Sequence, residues 1–193
     1  MIIIGADPGV RPIKVKYNPN ILHRRSIRYK NYDYSLGGAF FITINCQDSV
    51  SRFGKIWGVG QTNGSAPTMR LNDAGLMIEK WWFKIPEKFS DIELDVYQIM
   101  PNHFHGILIN NDNRNEKGEH MGSPLQTIIQ WFKTMTTNEY IRCVKTLNWN
   151  RFEGKLWQRN YYDHIIRNLY SYQMITLYII ENPERWYTKY KVN

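Results

Sequence analysis

Two histidines separated by a single residue, His103 and His105, are the side chains best suited to chemistry in this 193-residue chain. In an extended segment, side chains alternate between faces. His103 and His105 therefore point the same way, about 7 Å apart along the strand, while Phe104 points into the opposite layer. Neutral imidazole is the commonest protein ligand for metals, so two of them on one strand form a grip that lacks only an oxygen donor and a substrate. His-x-His by itself also reads as a pair of core histidines held by structural hydrogen bonds.

A second group comes some seventy-five positions later. In Tyr178-Ile179-Ile180-Glu181-Asn182-Pro183 the phenol and the amide are four residues apart, which on a helix puts them on one face within about 6 Å. A phenol is a poor nucleophile at its free pKa of about 10, but beside a metal that polarises a phosphodiester its oxygen can attack phosphorus. The amide oxygen of Asn182 could complete the ligand set of the histidine pair. Glu181, one position earlier, is a charged alternative ligand or a solvated helix-end charge. Tyr161 and Tyr162 compete as nucleophiles, although alternation sends one of them to the core and neither has a potential ligand at helical spacing.

The elements that must position these groups follow from hydrophobic period and breakers. The apolar, β-branched and aromatic run over residues 38–46 predicts a buried strand. A short strand or hairpin is expected around Lys55-Ile56-Trp57, before a Gly/Ser/Pro loop. Asn72 is an N-cap for a first helix that carries Leu76, Met77, Ile78, Trp81 and Trp82 and stops at Pro86. Residues 94–100 and 104–110 predict two strands joined by Pro101-Asn102, with the histidines at the mouth of the second. The polar stretch 111–122 reads as a surface loop. Ser123 and Pro124 form an N-cap and first-turn pair for a second helix with Leu125, Ile128, Ile129, Phe132 and Met135 inward. Residues 156–162 predict another strand, and a third helix is expected over 169–182, ended by Pro183. The resulting class is α+β, a ferredoxin-like split βαβ with a central antiparallel sheet, helices on one face and an added C-terminal helix that carries Tyr178. Three segments are expected: a basic arm over 1–35, a domain over 36–187 and a tail over 188–193.

Composition restricts the partner. The formal net charge of +8 and the pI of about 9.4 favour a polyanion, most simply nucleic acid, because each neutralised phosphate releases condensed counterions. Aromatic residues make up 15%, with thirteen Tyr and seven Trp, enough to supply both a core and stacking contacts. No apolar run approaches the twenty or so residues of a membrane span. The opening Met1-Ile2-Ile3-Ile4 is too short for a secretory core, so a cytosolic protein is expected. Cys46 and Cys143 lie far apart without metal-ligand spacing, which reads as two buried thiols.

Met100-Pro101-Asn102-His103-Phe104-His105-Gly106, then Leu156-Trp157-Gln158-Arg159-Asn160-Tyr161-Tyr162-Asp163-His164, then Tyr178 to Pro183 form three ordered motifs. Together they resemble the single-tyrosine HUH transposases of small bacterial insertion sequences, and most of all their REP-associated tyrosine transposase branch. The resemblance spans about residues 35–187. It implies a metal-dependent enzyme that cleaves and rejoins single-stranded DNA at hairpin-flanked sites through a 5′-phosphotyrosine, with Tyr178 as nucleophile. His103, His105 and Asn182 would hold the divalent ion, Mg²⁺ or Mn²⁺. It further implies single-stranded or hairpin DNA as partner, no membrane, a monomer or homodimer, and a bacterial cytoplasmic location at the nucleoid.

Around this set, His164 is a candidate for orienting a ligand or touching DNA, or else a strand-end histidine with a structural bond. Arg142, Lys155, Arg159 and Arg167 could track phosphates. Trp131, Trp149, Trp157 and Trp186 could stack bases, with Trp131 equally suited to the core. His23 and His120 fall in the basic arm and the loop and read as surface residues. Two other functions fit parts of the pattern: a DNA-hairpin-binding relative without catalysis, and a His-x-His metal-dependent oxygenase. After His105 the sequence Gly-Ile-Leu-Ile-Asn-Asn lacks the nearby carboxylate that the oxygenase needs. A replication or conjugation nickase shares the histidine pair but usually brings further domains.

Overall fold

The computed structural model describes residues 37–58, 66–111 and 124–190. The expected basic arm, His23, His120, Ser123 and most of the expected loop over 111–122 lie outside them.

Four strands make the central sheet: β1 (Gly38–Asn45), β4 (Ile92–Met100), β5 (His103–Asn110) and β6 (Tyr162–Ile166). Their spatial order is β4-β5-β1-β6, and every neighbouring pair is antiparallel. That is the expected split βαβ: the first crossover, β1 to β4, leaves a gap that β5 fills, and the second, β5 to β6, passes over β1. The crossovers are α1 (Asp73–Phe83) with its short continuation α2 (Ile85–Lys88), and α3 (Leu125–Thr146). Asn72 caps α1 as expected, its side chain accepting from the Gly75 amide 3.0 Å away. At α3, Pro124 occupies the N-cap itself and offers no side-chain bond.

Alternation divides the sheet into two chemically different faces. Phe40, Ile42, Ile44, Ile99 and Phe104 are all buried and belong to the layer under α1 and α3. There Trp82 packs 4.7 Å from Phe104 and 6.0 Å from Phe132, ring centre to ring centre. The other face carries Phe41 and Ile107, which form a smaller core with Ile175 and Ile179 of α4 (Leu169–Ile180). Burial of several large side chains on each face, at roughly 1.5–3 kcal/mol apiece, fixes the register. A slip of one residue would exchange the two layers.

Two expectations are corrected and one is refined. Residues 156–161 do not form a strand. Cys46 and Trp157 make one isolated bridge, and the chain re-enters the sheet only at Tyr162. The Lys133 ammonium on α3 binds the carbonyls of Gln158 and Arg159 at 2.6 and 3.0 Å instead. The hairpin around Lys55-Ile56-Trp57 exists, but as a separate two-stranded sheet of β2 (Gly54–Trp57) and β3 (Thr68–Leu71). Pro183 does not end the helical structure. The chain turns at Glu181 (φ −81°, ψ −2°) and resumes as α5 (Asn182–Tyr190). Proline is well tolerated in a first turn, where its missing N–H would have had no partner. The terminal helix thus takes in residues 188–190, which sequence pattern had assigned to the tail.

Candidate active site

The site forms where the β4–β5 turn meets the second sheet face. Pro101 and Asn102 make that turn, and its groups are tied into the neighbouring loop. The Cys46 amide donates to the Asn102 carbonyl at 2.8 Å, and the Arg52 and Phe53 amides donate to the Pro101 carbonyl at 2.7 and 3.0 Å. His103 therefore starts β5 from a rigid base. His103 and His105 share the face opposite Phe104, with ring centres 4.7 Å apart.

Each imidazole is oriented by a hydrogen bond at Nδ1. Asn102 gives its amide N–H to the Ser49 carbonyl at 2.7 Å, which leaves its oxygen to accept from His103 Nδ1 at 2.8 Å. Across the sheet, Thr43 pairs with His105, and the Thr43 hydroxyl oxygen lies 2.8 Å from His105 Nδ1. His105 Nε2 is buried and meets no hydrogen-bond partner. A buried N–H without an acceptor is costly, so the proton belongs on Nδ1 and a lone pair on Nε2. This is the form in which a histidine ligates a metal with its other nitrogen held from behind.

Electrostatics keep both rings neutral. Burial pushes His103 down to about 4, against a hydrogen bond with Asn182 that favours the charged form, and the Lys189 charge adds to the fall. Burial also holds His105 well below the ordinary imidazole range, with the neighbouring His103 contributing.

The two terminal helices bring the other half. Tyr178 on α4 sets its ring 5.4 Å from that of His105 and 6.0 Å from that of Phe41. Asn182, the first residue of α5 and only 6% exposed, hydrogen-bonds His103. Trp186, one turn later, covers His103 at 5.4 Å between ring centres. The helix α4 is fixed to the sheet by the Tyr172 hydroxyl, which donates to Asp95 Oδ2 at 2.6 Å. Asp95 falls where a register shift in β4 interrupts its pairing with β5.

These residues fit a divalent ion. The buried lone pair of His105 has no partner among the described residues, and an imidazole and an amide oxygen stand beside it. Among the described residues no group of three or more His, Cys, Asp or Glu side chains is placed to hold a metal. The oxygen donor would have to be the Asn182 amide.

A protein of Haemophilus influenzae (strain ATCC 51907 / DSM 11121 / KW20 / Rd), described as an uncharacterized protein, is 39% identical over 180 residues, which is 89% of this chain and 94% of that one. The chain belongs to the same family as that protein. No family profile matches the chain. Among solved structures, a REP-associated tyrosine transposase bound to a REP hairpin superposes with a TM-score of 0.54. The match covers 82% of this chain and 73% of that one at 18% identity. At that identity the likeness establishes a common fold, an α+β arrangement around an antiparallel sheet.

Within this fold, the remaining candidates separate. His164 pairs with Phe41 at the edge strand β6 and is exposed, one row along from the His105–Thr43 row. Tyr162 stands in the His105–Thr43 row itself, on the site face, with its ring 6.2 Å from Phe41. Glu181 is exposed and paired with Arg185 at 2.9 Å. Arg142 forms an ion pair with Glu139 on α3, across the sheet from the histidines. Lys155, Arg159 and Arg167 are exposed around the approach to β6. Trp157 is buried against Phe53 and donates to the Thr136 hydroxyl at 2.9 Å, so it is core and not a stacking surface. Trp131 is wedged between Trp81 and Phe89. Trp149 lines a cavity of about 430 Å³ behind the Arg52 loop.

Sequence reasoning missed Thr43 and the contact of Trp186 with His103. Alternation along 41–45 could have put Thr43 on the Phe41 face, but only the antiparallel register sets it opposite His105. Trp186 was hidden by reading Pro183 as a terminator.

Proposed function

We propose that this chain is a transposase-like enzyme that cuts and rejoins single-stranded DNA through a 5′-phosphotyrosine intermediate on Tyr178. The observation that carries the reading is the Tyr178 ring 5.4 Å from His105, whose buried Nε2 has no partner, with Asn182 bonded to the adjoining His103. The shared fold with a tyrosine transposase bound to a REP hairpin supports it.

His103, His105 and Asn182 would hold a divalent ion, Mg²⁺ or Mn²⁺. When bound, such an ion withdraws charge from the phosphoryl oxygens of the scissile group. Thr43 and Asn102 hold the two rings from behind. The Tyr178 oxygen attacks phosphorus and releases its proton, the tyrosyl O–P bond forms, and the P–O3′ bond breaks as the departing oxygen takes up a proton. The phosphodiester energy is kept in the tyrosine link. A 3′-OH from another cut end reverses the step and joins two strands without ATP.

The test is incubation with single-stranded DNA taken from either side of the encoding gene, with Mg²⁺ or Mn²⁺ and with EDTA, followed by a denaturing gel. The expected result is a covalent protein–DNA species that depends on metal and is absent in Tyr178→Phe. An adduct that survives in Tyr178→Phe would move the nucleophile elsewhere, with Tyr162 the next to mutate. Hairpin binding with no adduct in any metal would make the chain a DNA-binding relative without catalysis.

A further inference from the structure

The small hairpin of β2 and β3 has two unlike faces. Ile56, Met69 and Leu71 are half-buried, whereas Lys55, Trp57, Thr68 and Arg70 are exposed on the other side. The pairing explains why these four gather. Lys55 is directly opposite Arg70, and Trp57 directly opposite Thr68, so all four project from one surface of a two-stranded ribbon. Trp57 is 43% exposed. The Arg70 guanidinium lies 4.2 Å from its ring centre and the Lys55 ammonium 5.0 Å.

An exposed indole with two cations beside it is an arrangement suited to an unpaired nucleotide. The flat ring stacks on a base of any sequence, the guanidinium plane extends the stack, and the two charges meet the flanking phosphates. A paired base offers no such face, because its neighbours in the duplex already cover it. The four residues of this surface are two cations, an aromatic and a hydroxyl, with no carboxylate among them to oppose a phosphate.

The ribbon is also attached to the active-site turn. The residue that precedes β2, Phe53, and its neighbour Arg52 both donate to the Pro101 carbonyl, two residues before His103. Trp57 stands four residues further on, roughly 13 Å along an extended strand, a span that a few unpaired nucleotides bridge. The helix α5, which carries Asn182 and Trp186, packs against both β2 and β3.

We infer that the Lys55–Trp57–Arg70 surface of this hairpin is a docking platform for single-stranded DNA, holding bases that flank the cleavage site. The inference rests on the DNA-processing function proposed above and adds a substrate contact outside its catalytic residues.

The experiment is fluorescence anisotropy with labelled (dT)20 and with a blunt duplex of the same length, titrated across a range of salt concentrations. Trp57→Ala should weaken (dT)20 binding roughly ten- to a hundredfold and leave duplex binding nearly unchanged, while Trp57→Phe retains most of the affinity. Lys55→Ala and Arg70→Ala should each reduce the slope of log K against log salt by about 0.7. Circular dichroism of each variant checks that the hairpin change leaves the fold intact. If Trp57→Ala binds (dT)20 as the wild type does, or loses duplex affinity equally, while the wild type still forms the covalent adduct, the platform is refuted and the function stands. A wild type that neither binds (dT)20 nor forms an adduct refutes both.

Discussion

Gly106, the residue that follows the histidine pair, is expected to tolerate no side chain. A Cβ built on it would lie 2.8 Å from Trp82 Cη2 and 2.9 Å from both Trp82 Cζ2 and Phe104 Cε1. Non-bonded carbons prefer about 3.5–4.0 Å, so one of these rings must retreat by more than half an ångström. Trp82 cannot do so cheaply: it is fully buried, with Phe104, Phe132 and Tyr97 around it at 4.7, 6.0 and 6.2 Å between ring centres. Overpacking of this kind costs about 1–3 kcal/mol. Replacing a strand glycine returns about 0.5–1 kcal/mol by restricting the unfolded chain. The difference is about 0–2.5 kcal/mol, and at its middle, about 1 kcal/mol, Gly106→Ala lowers Tm by roughly 2–4 °C for a chain of this size. If the clash with Trp82 is the cause, Trp82→Phe in the same molecule should relieve it, and the double variant should be more stable than the sum of the two single changes implies. Thermal unfolding followed by circular dichroism measures all four proteins. A Gly106→Ala protein that melts within a degree of wild type, or a double variant that is simply additive, would refute the packing argument. Because His103 and His105 sit on the same strand, calorimetric Mn²⁺ binding by Gly106→Ala should weaken as well.

Other consequences can be measured separately. Thr43→Val keeps the shape of the side chain but removes the oxygen at His105 Nδ1, and should lower Mn²⁺ affinity about ten- to a hundredfold and cost about 1–3 kcal/mol of stability, because a buried N–H loses its acceptor. His103, with its folded value pushed down to about 4 from 6.5, is neutral in the folded chain at a pH where the unfolded chain binds a proton. The metal-free protein should then hold its stability above pH 6.5 and lose about 3 kcal/mol from this group as pH falls towards 4, read as denaturant midpoints across that range. By the same depression, Mn²⁺ binding should persist at pH 5.5, where a free imidazole is mostly protonated. Tyr172→Phe removes the bond to Asp95 and should cost about 1 kcal/mol in urea unfolding. It should also slow adduct formation more than it weakens (dT)20 binding, because α4 carries the tyrosine.

Much of the architecture was legible because local signals agree with the global packing. The apolar run around Phe41, the N-cap at Asn72, the Pro101-Asn102 turn and the helical period after Pro124 each specify an element within a few residues. The order of those elements leaves few topologies for an antiparallel sheet. The errors fall where a long-range contact outweighs a local preference. Lys133, more than twenty residues away, binds the carbonyls of Gln158 and Arg159 where the strand was expected. Pro183 lies in the first turn of a new helix, where its missing N–H costs nothing.

By itself the sequence determined the chemistry available: two imidazoles on one strand face, a phenol and an amide four residues apart, and an excess of positive charge. Those properties depend on residue type and on the short-range periodicities of strand and helix, which need no partner. Tertiary structure alone decided that the Tyr178 ring stands 5.4 Å from His105, that Thr43 is the group behind His105, and that Trp186 covers His103. Such placements depend on strand register, on the turn at Glu181 and on burial that both desolvates the imidazoles and leaves one nitrogen without a partner. None of these is a property of neighbouring residues, so none could be read before the chain was folded.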